Sequence, residues 1–212
     1  DVPDLPCHGK NWGKHKDVTT EDYVRTVTDL IDAADGPVTL VAHSRGGLVG
    51  SSVAEARPDK VQRTIYVAAF LVPNGKSVVD YGLQDDQSLI LPNLDQNPDK
   101  GWDMLQSHIF REALYADCDD DDVALCHLLL TPEPAAPTFT PLVLSEERYG
   151  RVPRSYIMLT EDRAVSPSLQ RMMLEETPCE VFELEASHSA YFSKPGALTR
   201  LIEQAGESQA AA

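Results

Sequence analysis

Ser44 stands in the segment Val38-Thr39-Leu40-Val41-Ala42-His43-Ser44-Arg45-Gly46-Gly47. A β-branched apolar run ends, a serine follows with small residues two places before and two places after, and a helix-compatible stretch begins. A strand, a sharp turn carrying serine and a helix are the context of a nucleophile elbow, with Ala42 at the first small position. In such a turn the serine is held in a strained backbone conformation and its hydroxyl projects from the sheet edge. Close packing of neighbouring segments is expected to restrict Ala42 and Gly46 to small side chains. The helix start adds a positive dipole end, and the Arg45 N–H is expected to point where an oxyanion would form.

A serine hydroxyl is a poor nucleophile at neutral pH. It needs a base to take its proton and an acid to orient that base. In sheets carrying this elbow the chain order is serine, then Asp or Glu, then histidine. Six histidines are candidates. His8 and His15 lie upstream of the serine. His43 is its neighbour, and its side chain is expected to point away from Ser44. His108 and His127 fall in a long central insertion. His188 follows the last strand-like run, in Glu185-Ala186-Ser187-His188-Ser189, and so reaches the same sheet edge as the elbow. The acid should leave the preceding strand, where Leu159-Thr160-Glu161-Asp162 offers two carboxylates. By chemistry alone Glu161 and Asp162 both qualify.

The elements that must position these groups read as follows. Thr19-Thr20-Glu21-Asp22 begins a helix to about Ala34, with Val24, Val27, Leu30 and Ile31 at helical spacing. Val38–Ala42, Thr64–Ala69, Ser155–Leu159 and Val181–Leu184 are short apolar runs suited to strands buried on both faces. A helix after the elbow runs to about Arg57, and further helices are expected over Pro167–Glu176 and Gly196–Gln204. Alternating strands and helices imply an α/β fold with a mostly parallel sheet. Asp1 to Gly9 reads as a strand end entering a Pro/Gly loop, and the Ser208–Ala212 tail as a frayed terminus.

Val72 to Gly150 breaks the rhythm. It is acidic, rich in proline and mostly helical where it is periodic, with the clearest helix over Asp119–Leu130. Its length is that of a cap over the site rather than a plain loop. The expected organisation is a core over 1–71 and 151–212 and a cap over 72–150. Tyr81, Leu83, Trp102, Leu105 and Phe110 of the cap either line a pocket or pack.

The 212 residues fit one domain. With 18 basic and 34 acidic side chains the formal charge is −16, a surface that repels phosphate backbones and argues against nucleic acid as a partner. Much of the excess lies between Asp80 and Asp122, where 12 acidic residues face Lys100 and Arg111. No run approaches the roughly 18 apolar residues of a membrane span, so no membrane partner is expected. Cys7, Cys118, Cys126 and Cys179 show no C-x-x-C spacing, which argues against a zinc site and a disulfide scaffold. Reduced thiols and a cytoplasmic location are the expectation. No cofactor is implied. The long cationic side chain of Arg45 has two readings: a salt bridge on the helix surface, or a reach into the pocket favouring anionic substrates.

Three pairs of stretches resemble the plant methylesterase and hydroxynitrile lyase family of α/β-hydrolases and its bacterial esterase relatives. They are Val2–Gly9 with Leu40–Gly47, Glu147–Ile157 with Thr160–Arg163, and Ser187–Ser189 with Ser193–Pro195. The resemblance implies an α/β-hydrolase fold with a helical cap, and a triad that falls on Ser44, Asp162 and His188. It favours Asp162 over Glu161. The family places a glycine before the elbow histidine and Gly-His-Gly where this chain has Cys7-His8-Gly9. It also begins with a strand–helix–strand unit, carrying a second oxyanion donor, that would precede Asp1. The resemblance therefore implies a longer protein, or a sheet completed by another segment or by a second copy in a homodimer.

The expected activity is serine-dependent hydrolysis of a small carboxylic ester through an acyl-enzyme, with Arg45 supplying an oxyanion N–H. A hydroxynitrile lyase would use the same triad. The family's lyases carry a lysine directly after the histidine, where this chain has Ser189, and that favours the esterase. A triad-bearing homologue that only binds a ligand is the third reading.

Overall fold

The structure, a computed structural model, describes residues 1–207; the Ser208–Ala212 tail lies outside them. The first helix, α1 (Thr20–Ala33), opens with a capping box. The Thr19 hydroxyl accepts from the Asp22 N–H, and the Asp22 carboxylate accepts from the Thr19 N–H. Two otherwise unpaired donors are thereby satisfied reciprocally. Strand β1 (Val38–His43) passes through Ser44 and Arg45 into α2 (Gly46–Ala56), and β2 (Val61–Val67) follows. Within 72–150 lie α3 (Val78–Gly82), β3 (Leu94–Asn97), β4 (Trp102–Leu105), α4 (Phe110–Leu114), α5 (Asp120–Leu129), β5 (Glu133–Pro134) and α6 (Ala136–Phe139). The chain returns with β6 (Arg154–Leu159), α7 (Pro167–Glu176), β7 (Glu180–Leu184), α8 (Ala190–Ser193) and α9 (Pro195–Glu207).

The main sheet has the order β1-β2-β6-β7, and all its pairs are parallel. Its central strands β2 and β6 are almost wholly buried, whereas Val41 on β1 and Val181 on β7 are exposed. That contrast fits the apolar stretches Ile65–Val67 of β2 and Tyr156–Leu159 of β6. One face packs against α1, α2 and α7 through Tyr23, Ile31, Val53, Leu169 and Met173. The other packs against α9 through Leu198 and Ala205. A parallel sheet puts the carboxyl ends of all its strands at one edge, and that edge is where ligands bind in open α/β sheets.

Three expectations are corrected. Residues 1–9 contain no strand; they turn back on themselves, with the Cys7 N–H donating to the Asn11 carbonyl and Cys7 buried at a φ of 69°. The 72–150 insertion is not only helical, because β3, β4 and β5 form a second, antiparallel sheet. Its strands have two to four residues, too short for a period to show. The hairpin between β3 and β4 turns through Gly101 at a φ of 72°, where a Cβ would also lie 2.6 Å from the Lys16 Cα. The third correction concerns Gly46. A Cβ there would meet nothing within 4 Å, whereas one on Gly47 would fall 2.2 Å from the Phe70 carbonyl oxygen. The close approach that demands glycine is therefore one residue later than the elbow pattern suggests. Ala42 is confined as expected, with its Cβ 3.0 Å from where a Cβ on Gly50 would stand.

Candidate active site

Ser44 adopts a φ of 54°, in the left-handed region that non-glycine residues rarely occupy. The surroundings hold it there. Its carbonyl accepts from the Phe70 N–H (3.0 Å) and the Gly47 N–H (3.1 Å), and its own N–H donates to the Val67 carbonyl (3.4 Å). The contact between Gly47 and the Phe70 backbone makes these bonds possible. Strain of this kind is kept where a side chain must be presented in one direction. Among the described residues no protein acceptor takes the Arg45 N–H at the head of α2.

The β6–α7 and β7–α8 loops bring the other groups together. Asp162 is 3% exposed and its carboxylate is fully engaged. Oδ1 accepts from the Ala164 N–H (2.7 Å) and the Val165 N–H (3.0 Å). Oδ2 lies 2.7 Å from Nδ1 of His188, itself 4% exposed. Nδ1 is thus committed to the carboxylate, and Nε2 remains for proton exchange. Glu161, the other carboxylate of the loop, is exposed. Strands β1 and β7 stand three spacings apart in the sheet, about 14 Å at the usual separation. The β7–α8 loop crosses that gap: the Glu161 N–H donates to the Ala186 carbonyl beside β6, and His43 at the end of β1 meets the His188 carbonyl. Ser44 and His188 line one cavity of about 450 Å³. His8, His15, His108 and His127 are not among its lining residues.

His43 has a part that its sequence position did not announce. Its Nε2 lies 2.8 Å from the His188 carbonyl, and its ring packs on the His188 ring with centroids 4.4 Å apart. The residue before Ser44 therefore supports the loop that carries His188. Burial, and next the charge His188 can carry, push the His43 imidazole from 6.5 down to about 3, against the pull of the His188 carbonyl. His43 is neutral at ordinary pH, so its Nε2 carries the proton and donates. Between pH 6.5 and 3 the unfolded chain takes up a proton there that the folded chain refuses. Folded stability is thus complete above that window and falls as pH drops through it. His43→Gln keeps a donor and removes the titration. Its unfolding free energy should decline less than that of the parent across the window, by roughly 2–4 kcal/mol. Urea midpoints measured against pH check this, and parallel curves for the two proteins would contradict it.

The Arg45 side chain combines its two expected readings: it lines the cavity, and it forms a salt bridge there with the cap rather than on the helix surface. Its Nη1 donates to Asp103 Oδ2 (2.9 Å) and Thr138 Oγ1 (2.9 Å), and its Nη2 to Asp103 Oδ1 (2.7 Å). Nη2 also lies 3.0 Å from Glu133 Oε2. Asp103 on β4 and Glu133 on β5 are paired in register, so the second sheet presents two carboxylates to one guanidinium. The fork geometry of arginine suits this bidentate contact. With both Nη groups engaged and two carboxylates facing it, the Arg45 charge is paired within the cavity wall. Of the five cap residues with two open readings, Leu105 and Phe110 line the cavity, together with Phe70, Val78, Leu91 and Leu169, and Trp102 is not among the lining residues. Tyr81 instead donates to Glu176, and Leu83 is 72% exposed. No sequence signal marked the Arg45 partners, because they come from a sheet that the pattern did not reveal. Among the described residues no cluster of His, Cys, Asp and Glu could hold a metal, and no helix is long and apolar enough to cross a membrane.

Residues 2–201 match the family model described as "Alpha/beta hydrolase family". The chain is 31% identical to a pyrethroid hydrolase of Sphingobium wenxiniae, over 95% of this chain and 75% of that protein. It is also 31% identical to an Arabidopsis thaliana protein provisionally named methylesterase 12, chloroplastic, over 94% of this chain. It spans 61% of that relative's length. Among solved structures, a crystal structure of a pyrethroid hydrolase superposes with a TM-score of 0.89 at 27% identity, covering 99% of this chain and 86% of that one.

Proposed function

The chain belongs to the α/β hydrolase family, in its methylesterase branch, and from that premise we propose that it hydrolyses a small carboxylic ester through Ser44. Residues 1–71 and 151–207 serve as the hydrolase core and 72–150 as its cap, the last five residues of the expected 151–212 segment lying outside the described residues. The observation that carries the reading is the left-handed Ser44 sharing a cavity with the hydrogen-bonded His188–Asp162 pair.

In the reaction His188 Nε2 takes the Ser44 proton as Oγ bonds to the ester carbonyl carbon. The carbonyl π electrons move to oxygen, and the Arg45 N–H stabilises that oxyanion. Collapse breaks the bond to the alkoxide, which leaves with the proton held on His188. Water then gives a proton to His188 and its oxygen attacks the acyl-serine. The second collapse releases the acid and returns the proton to Ser44. Asp162 keeps Nδ1 protonated and stabilises the imidazolium throughout.

The mostly apolar walls suit an ester with an apolar acyl or alcohol group. No lysine lines the cavity and Arg45 is engaged, so the site lacks the cation that a departing cyanide would need. The free cysteines support a reducing compartment such as the cytoplasm. The expected outcome is steady release of p-nitrophenol from p-nitrophenyl acetate or butyrate and no release of cyanide from mandelonitrile. Cyanide release without ester turnover would overturn the reading in favour of a lyase, and ligand binding without either reaction would overturn it in favour of a carrier.

A further inference from the structure

The cap touches the residues that flank the catalytic pair, and it does so through carboxylates. On the serine side, Asp103 is 3% exposed and takes both Nη groups of Arg45, the residue after Ser44. On the histidine side, Asp117 lies between α4 and α5 and accepts from both the N–H (3.1 Å) and the hydroxyl of Ser187, the residue before His188. The next cap residue, Cys118, sets its Sγ 4.0 Å from the carbonyl of Ser189, the residue after His188. Asp117 and Cys118 thus bracket the histidine. Asp103 lines the cavity with both carboxylate oxygens committed to Arg45, Asp117 is not among the lining residues, and neither contact is needed to close the main sheet.

We propose that the cap is a clamp on the catalytic pair: Asp103 fixes the Arg45 end of the elbow, Asp117 fixes the Ser187 end of the histidine loop, and seating the cap sets the distance between Ser44 and His188. The proposal rests on the hydrolase reading for its kinetic consequences. The β7–α8 loop must arch across the sheet to reach Ser44, and a span of that kind needs a tie at its far end. Asp117 supplies one with two hydrogen bonds from a single residue. The bidentate Arg45–Asp103 contact is likewise the geometry that fixes orientation as well as distance. Burial opposes charge on Asp117, but the Ser187 donors and the Ser193 hydroxyl outweigh it and hold its carboxyl below the usual range. Asp117 is therefore a charged acceptor at neutral pH.

Asp103 and Asp117 are positioning residues in this account, so the test must separate position from mere stability. Asp103→Asn and Asp117→Asn keep volume and lose charge. Each should lower kcat on p-nitrophenyl butyrate about 10- to 100-fold, the range that a displacement near 1 Å can cost, with KM held within about twofold. Glu55→Gln is the control. Glu55 ties residues 145–149 to α2 by accepting from Ser145 and Tyr149, and it touches neither flank of the pair. It should lower the melting temperature and leave kcat unchanged. The second readout does not need turnover: the far-downfield NMR signal of the His188 Nδ1 proton shared with Asp162. It should be sharp in the parent protein and in Glu55→Gln, and broadened or lost in Asp117→Asn. Unchanged kcat together with an unchanged imidazole signal in Asp117→Asn would overturn the clamp. So would a loss of kcat that follows melting temperature equally in all three variants. If the parent turns over no ester but Asp117→Asn still loses the imidazole signal, the hydrolase reading falls and the clamp stands.

Discussion

Ser44→Ala is expected to lower kcat for a short-chain aryl ester by at least about 10⁴-fold, because it removes the one atom that bonds to the acyl carbon. Knocking out a serine nucleophile costs about as much as removing its whole triad, since the remaining members have nothing to activate. Some rate above water survives through the oxyanion donor and binding. KM should change little, because the apolar walls are untouched. Alanine also keeps the backbone bonds from Ser44 to Phe70, Gly47 and Val67, so the fold should persist and the loss can be read as chemistry. Initial rates on p-nitrophenyl butyrate measure it. Undiminished turnover would take Ser44 out of the mechanism.

Asp162→Asn should cost about 10⁴ in kcat, for a reason of proton placement. Asparagine can keep its carbonyl oxygen on the Ala164 and Val165 N–H groups, where Oδ1 now sits. Its amide then faces His188 and donates to Nδ1. The imidazole must accept there, which moves its single proton to Nε2. A protonated Nε2 cannot take the Ser44 proton, so the base is in place but in the wrong tautomer. Stability should change far less than rate, because the side chain keeps its two bonds to the loop backbone and its bond to His188 is reversed rather than lost. Paired measurements of kcat and melting temperature check this. A fall of less than about tenfold would mean that His188 draws its orientation from elsewhere, with the His43 contact as the first suspect.

The parts of the site legible in the sequence are those set by local rules. Strand, serine, small residues and helix occur in one ten-residue window, so Ser44 could be placed from spacing alone. Chain order and position after a strand then singled out His188. Between Glu161 and Asp162 local rules were silent, and the resemblance to a known family decided. In the structure Asp162 turns inward under two backbone donors while Glu161 stays outside. The four strands of the main sheet were readable from short apolar stretches, such as Ile65–Val67 in β2 and Tyr156–Leu159 in β6, that burial on both faces favours.

What stayed hidden depends on contacts between distant segments. The cap sheet is made of strands too short to show a period, and three of the four residues of β3 are polar, with Asp95 and Gln96 exposed. Without that sheet nothing foretold that Asp103 and Glu133 would converge on Arg45. His43 was expected to stand apart from the chemistry; it supports the His188 loop because that loop folds back across β1. The glycine in closest contact proved to be Gly47, one residue beyond the position that the elbow pattern names, since the segment after β2 passes directly over it.

The most direct test of the account is to treat the protein with a fluorophosphonate, which phosphonylates an activated serine hydroxyl, and to map the adduct by peptide mass. The account predicts a single adduct on the peptide containing Ser44, absent from Ser44→Ala and formed far more slowly in Asp162→Asn. An adduct confined to another residue, or ester turnover that continues while Ser44 stays unlabelled, would contradict it.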